Sequence, residues 1–112
     1  MRDALNRTGR GIFFALANTD PLTVGSYGPT TANSWGTSQY IRNGGWENVR
    51  AAFSLNNEAA ALSKKGAWND PDSLDIGTGK LSLLEEKTQF ALYALAKAPL
   101  ILSSDLASLS SQ

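Results

Sequence analysis

Apolar residues fall along this chain in short unbroken runs that alternate with stretches of helical period. Ile12-Phe13-Phe14-Ala15-Leu16-Ala17 is unbroken, bounded by Gly11 and by Asn18-Thr19-Asp20-Pro21. That length and those flanks predict a strand buried on both faces, as in a parallel sheet. Leu22–Thr31 is rich in Gly, Pro, Ser and Thr and reads as a loop, and Ala32–Trp35 gives a weaker strand signal after it. From Trp46 the period changes. Trp46, Val49 and Phe53 form one apolar row, and Ala52, Leu55, Ala59 and Leu62 form its neighbour. These rows predict an amphipathic helix, with Asn56-Asn57 as the point where it would split and Lys64-Lys65-Gly66 as its end. In Trp68–Gly79, Leu74 and Ile76 alternate with Ser73 and Asp75, which predicts a brief strand over Ser73–Ile76.

The clearest helix follows. Ser82 and Glu85 have capping-box spacing. Leu83, Leu84, Phe90, Ala91, Ala94 and Leu95 form a wide apolar stripe, with Lys97 in the last turn and Pro99 beyond it. Leu100-Ile101-Leu102 predicts one more buried strand before the chain fades into Ser-rich sequence. At the other end, Met1–Arg7 reads as the tail of a helix stopped by Gly9, as in a chain that starts mid-domain. Strands and helices that alternate in this way predict a parallel sheet with helices packed outside it.

Composition narrows the chemistry. With 112 residues, 42% of them hydrophobic, and a formal net charge of zero, the chain is a single globular segment, 1–112. Ten Lys plus Arg give no electrostatic case for nucleic acid or an anionic membrane, and no apolar run is long enough to span a bilayer. The N-terminus has no apolar core of a signal peptide. Without Cys or His, disulfides, a Ser–His–Asp triad and His- or Cys-ligated metal are excluded. Chemistry would fall to carboxylates, Tyr, Lys or Arg.

Gly77-Thr78-Gly79-Lys80 invites a phosphate-loop reading, which fails because Leu74 and Leu81 stand where Gly and Ser or Thr are required. Asp70, Asp72 and Asp75 lack the spacing of a calcium loop, so no metal and no cofactor is expected. Trp35, Trp46 and Trp68 suit a sugar-stacking platform, although the register of Trp46 favours core packing. Asn6-Arg7-Thr8 is a glycosylation sequon, meaningful only in a secretory pathway.

Several stretches together resemble one family. Met1-Arg2-Asp3-Ala4-Leu5-Asn6, Thr8-Gly9-Arg10, Ala32-Asn33-Ser34-Trp35, Trp68-Asn69-Asp70-Pro71-Asp72 and the run from Phe90 to Ile101 are similar, in this order, to the α-galactosidase (melibiase) family of retaining glycoside hydrolases. The resemblance implies part of a TIM (β/α)8 barrel, from the helix before strand five through strand eight. Ile12–Ala17 would be strand five, Ala32–Trp35 strand six, Ser73–Ile76 strand seven and Pro99–Leu102 strand eight.

The family's reaction needs two carboxylates roughly 5 Å apart, a nucleophile and an acid/base. Its nucleophile lies in a Lys-Tyr-Asp motif, which this sequence does not contain. The acid/base Asp falls at Tyr40, a substrate-binding Arg at Gly36, a sugar-recognising Glu at Asn18 and a helix His at Gln89. A phenol titrates near pH 10, far from a carboxylate's pKa near 4. The resemblance therefore implies a chain that is inactive alone. Trp35, Asn18, Trp68 and Asp70 are its candidate substrate-binding residues, Asp70 and Asp72 supporting the site rather than forming the catalytic pair. The partners expected are an α-galactoside, or a second copy joined through open sheet edges. The compartment implied is secreted, vacuolar or lysosomal.

Overall fold

The computed structural model describes residues 1–17, 20, 23–38 and 44–109. Its centre is a parallel sheet of three short strands in the order β1 (Ala15–Leu16), β2 (Ser34–Gly36) and β3 (Trp68–Asp70). The register sets Ala15 beside Ser34 and Leu16 beside Trp35, then Ser34, Trp35 and Gly36 beside Trp68, Asn69 and Asp70. The helices are α1 (Arg2–Asn6), α2 (Gly28–Thr31), α3 (Trp46–Glu58) and α4 (Leu83–Leu95). The alternating, parallel architecture read from the sequence is present.

The strand limits differ from expectation, for identifiable reasons. Only Ala15–Leu16 of the run 12–17 pairs, and Ile12 and Phe13 are 41% and 62% exposed rather than buried. Among the described residues β1 pairs on one side only, with β2, which leaves half of such a run without the cover it calls for. β2 starts at Ser34, not Ala32, because Ala32 caps α2 and Asn33 spends its amide on bonds that bracket the strand. Asn33 Oδ1 accepts from the Phe14 N–H at 2.9 Å, and its Nδ2 donates to the Gly66 carbonyl at 3.3 Å.

The strand expected over Ser73–Ile76 lies instead at Trp68–Asp70. Pro71 has no N–H to continue the ladder, and Asp72 adopts a φ of 95°, turning the chain. Pairing resumes at Leu74, now with the other neighbour, as one parallel bridge to Leu102. The Leu74 N–H donates to the Ile101 carbonyl at 2.7 Å, and the Ser103 N–H to the Leu74 carbonyl at 3.1 Å. The strand expected at Pro99–Leu102 is reduced to this bridge, and Leu100 and Ile101 are exposed.

α3 runs unbroken through Asn56-Asn57. Its buried line is Val49, Ala52 and Asn56, the seam between the two predicted rows, and Trp46 is half-buried at its start. α4 begins with the expected capping box: Ser82 Oγ accepts from the Glu85 N–H, and Glu85 Oε2 accepts from the Ser82 N–H at 2.8 Å. It ends in a Schellman motif, with the Ala98 N–H on the Tyr93 carbonyl and the Lys97 N–H on the Ala94 carbonyl. Lys97 holds the left-handed position at φ 56°, where Gly is usual.

The stripe expected to bury α4 does not do so. Leu83, Leu84, Phe90, Ala91, Ala94 and Leu95 are all exposed, and Gln89 and Tyr93 are the buried residues. Two cores result. Trp35, Val24 and Ala67 pack with Leu16 and Leu62 on one side, and Leu74, Tyr93 and Ala98 pack with Phe53, Ile76, Leu92 and Leu102 on the other.

Candidate functional site

In a parallel sheet all strands release their next residues at the same end, where loops from different strands can converge on a ligand. Here the residues at that end enclose a cavity of about 220 Å³, lined by Ala15, Leu16 and Ala17 of the first segment, Gly36 and Ser38 of the second, and Asp70 and Asp72 of the third. Gly36 stands opposite Asp70 in the ladder. Both residues line the cavity.

The acids are held by local hydrogen bonds. Pro71 forces Asp70 toward an extended backbone. The Thr37 N–H donates to the Asp70 carbonyl at 2.8 Å, and Ser38 Oγ donates to the Pro71 carbonyl at 3.1 Å. Asp70 Oδ1 accepts from the Asp72 N–H at 3.0 Å. Asp72 Oδ1 accepts from the Ser73 N–H at 2.7 Å. Burial pushes the Asp70 carboxyl above its ordinary pKa; the Asp72 amide opposes this, and the Asp72 charge adds to it.

Residues farther back fix this strand end. Thr37 is fully buried, and its hydroxyl donates to Asn56 Oδ1 on α3 at 3.0 Å. Gln89 Oε1 accepts from the Asp75 N–H at 3.0 Å. The Tyr93 hydroxyl reaches the Pro71 carbonyl at 3.4 Å, and burial raises its pKa to about 12 despite the Gln89 amide beside it, helped by the charges of Asp72, Asp70 and Asp75. The Gly77 N–H, which a phosphate loop would offer to a ligand, donates instead to Glu86 Oε1 at 2.8 Å. Among the described residues, no group of three or more acids could hold a metal ion.

Of the candidate site residues, Asp70 lies in the cavity wall. Trp35 does not: it is fully buried against Val24 and Ala67, and Gly28 packs so closely on its indole that an added Cβ would lie 2.9 Å away. Trp68 stands at the other end of β3. It lines a separate cavity of about 390 Å³ with Asn57 of α3 and Leu95 and Lys97 at the end of α4. Asn18 and Tyr40 lie outside the described residues. Sequence reasoning missed Ser38 and Thr37. The signal was available in their position, since both directly follow a strand.

Residues 1–112 match the model of the melibiase family described as Alpha galactosidase A. The chain belongs to this family. It is 38% identical over 112 residues to α-galactosidase 3 of Arabidopsis thaliana, covering all of this chain and 25% of that relative. It is 37% identical to an α-galactosidase of Schizosaccharomyces pombe, covering 98% of this chain and 30% of that one. The structure of an α-galactosidase of Saccharomyces cerevisiae with raffinose superposes with a TM-score of 0.81 at 28% identity, over 99% of this chain and 29% of that one. The chain thus spans between a quarter and a third of the length of these α-galactosidases. Asp70 and Asp72 belong to the Trp-Asn-Asp-Pro-Asp run that carries part of the resemblance.

Proposed function

We propose that this chain is the second half of an α-galactoside-binding barrel, contributing strands five to eight, and that it hydrolyses nothing by itself. The carrying observation is the pair of acids at the strand ends. Asp70 and Asp72 share one turn, with the Asp72 amide bonded to Asp70 Oδ1. A retaining glycosidase needs carboxylates on opposite sides of the scissile bond, one attacking the anomeric carbon and one protonating the leaving oxygen. Two acids tied through one Pro stand on the same side and serve to accept hydrogen bonds from sugar hydroxyls.

Burial raises the Asp70 pKa, but the sequence offers no Lys-Tyr-Asp nucleophile to oppose it, and Tyr40 fills the acid/base position. Gly36, in place of the family's Arg, removes one further sugar contact from the cavity wall. The role is therefore recognition and scaffolding of an α-galactoside in the secreted or vacuolar setting implied by the family resemblance. The test is turnover of an aryl α-galactoside by the purified chain, with galactose binding followed by Trp fluorescence. No turnover, together with saturable binding that weakens in Asp72→Ala, supports the reading. Turnover that disappears in Asp70→Asn refutes it.

A further inference from the structure

We infer that Asp70, Ser38 and Tyr93 are positioning residues that hold the Pro71–Asp72 peptide in a strained orientation and, resting here on the α-galactoside reading, that this orientation presents the Asp72 carboxylate to the sugar. Asp72 has a φ of 95°. Residues with a side chain seldom adopt positive φ, because the Cβ then crowds the neighbouring backbone. Among the described residues other than Gly, Lys97 alone shares this feature, and the Schellman motif that closes α4 accounts for it. No helix ends at Asp72. A strained backbone of this kind persists where its surroundings over-determine it, and such residues gather at ligand sites.

The surroundings grip one peptide unit at both of its polar ends. A peptide is planar, so its C=O and N–H turn together about the bonds on either side. A flip of the Pro71–Asp72 unit would carry φ of Asp72 into the ordinary negative range and reverse both groups. The N–H end is held by Asp70 Oδ1, which accepts from it at 3.0 Å. The C=O end is held from two other elements. Ser38 Oγ, just beyond β2, donates to it at 3.1 Å, and the Tyr93 hydroxyl on α4 donates to it at 3.4 Å. Tyr93 is fully buried, so a flip would leave its phenol without this acceptor where water does not reach. The unit before is fixed as well, because the Thr37 N–H and hydroxyl donate to the Asp70 carbonyl at 2.8 and 3.2 Å.

The two acids therefore differ in their work. Asp70 spends Oδ1 on the backbone of its neighbour. Asp72 lines the cavity with Ser38 and Gly36, and its own Oδ1 accepts from the Ser73 N–H at 2.7 Å, which ties the carboxylate to the turn. Where the peptide turns, the carboxylate turns with it. Pro71 narrows the choice further: its ring fixes φ, which leaves its ψ and the φ of Asp72 as the rotations the grip controls. Tyr93 does not line the cavity, so any effect it has on a ligand there passes through the Pro71 carbonyl.

Nuclear magnetic resonance on the isotope-labelled full chain tests it. The Overhauser effect between the amide and Hα protons of one residue is strong at positive φ, where the two protons lie close, and weaker elsewhere. Asp72 should show the strong signal in the parent and in Asp70→Asn, whose Oδ1 still accepts the amide. The signal should fall to that of ordinary strand residues in Asp70→Ala, which frees the N–H end, and in Ser38→Ala/Tyr93→Phe, which frees the C=O end. Galactose affinity, followed by Trp fluorescence, should weaken by about tenfold or more in Ser38→Ala/Tyr93→Phe, the equivalent of one lost hydrogen bond. Ser82→Ala, which weakens the α4 cap away from the turn, should leave the signal and the affinity as in the parent. If Asp70→Ala does not fold, Asp70→Ala/Asp72→Gly should, because Gly takes positive φ without strain; a double variant that stays unfolded overturns the inference. An Asp72 signal unchanged by both sets of substitutions overturns it too. So does a loss in Asp70→Asn equal to that in Asp70→Ala, or a lost signal with unchanged affinity. If the parent binds no galactose, the α-galactoside reading fails, and the Asp72 signal alone decides the positioning.

Discussion

Thr37→Val isolates the bond that ties the carboxylate end of the sheet to α3. Thr37 is fully buried, and its hydroxyl donates to Asn56 Oδ1, itself on a residue only 4% exposed. Valine keeps the shape and the backbone N–H that holds the Asp70 carbonyl, so the position of Asp70 should not change. What is lost is the donor to a buried acceptor. Leaving such a group unsatisfied costs about 1–3 kcal/mol, a sizeable share of the 5–15 kcal/mol that holds a domain together. Asn56→Leu alone removes the acceptor and strands the Thr37 hydroxyl less severely, because the Asp70 carbonyl, 3.2 Å away, still takes its proton. The double variant, apolar on both sides, should cost less than the sum of the two by about 1 kcal/mol or more. Urea unfolding of the four proteins measures the cycle. A Thr37→Val chain within about 0.5 kcal/mol of the parent, or strict additivity in the double variant, would refute this account of the junction.

Three further outcomes follow from the same geometry. Ser82→Ala removes the hydroxyl half of the α4 capping box and should destabilise the chain by about 1 kcal/mol in urea melts. Lys97→Gly should stabilise it by about 0.5–1 kcal/mol, since the left-handed C-terminal position at φ 56° costs a side-chain-bearing residue more than Gly loses in entropy. Because burial raises the Asp70 pKa above its unfolded value, the folded state holds this proton more tightly, and stability attached to it is present below the unfolded pKa and lost as pH rises through the folded one. Asp70→Asn keeps the Oδ1 acceptor and should therefore melt higher than the parent at neutral pH and match it in acid; the same difference at both pH values would contradict this.

Much of the fold was legible where a local signal had one physical meaning. Ser82 with Glu85 fixed the start of α4, Gly9 at φ 70° ended α1, and Asp70 before Pro71 marked the end of a strand. The signal failed where apolar character said nothing about direction. α4 is apolar on a face that the described residues leave exposed, and it buries Tyr93 together with Gln89, which accepts from the Asp75 amide. Ile12 and Phe13 fit a core pattern that presumes a neighbour on both sides of the strand, and among the described residues β1 has one. Ser73–Ile76 alternates more cleanly, yet the strand forms at Trp68–Asp70, before the turn at Pro71 and Asp72. At the site, the acids and Gly36 were visible as motif positions. Trp35 was not separable from them, because a strand sends neighbouring side chains to opposite faces and the motif does not say which face is the cavity.

The most direct measurement of the central claim joins this chain to the part of the Schizosaccharomyces pombe relative that precedes the matched segment. The joined protein is assayed on an aryl α-galactoside in two forms, one with the sequence unchanged and one carrying Gly36→Arg and Tyr40→Asp. The account predicts no turnover from the chain alone or from the unchanged fusion, and turnover from the substituted fusion, because only that form has both carboxylates. Turnover by the chain alone, or a folded substituted fusion that binds galactose and still hydrolyses nothing, would contradict it.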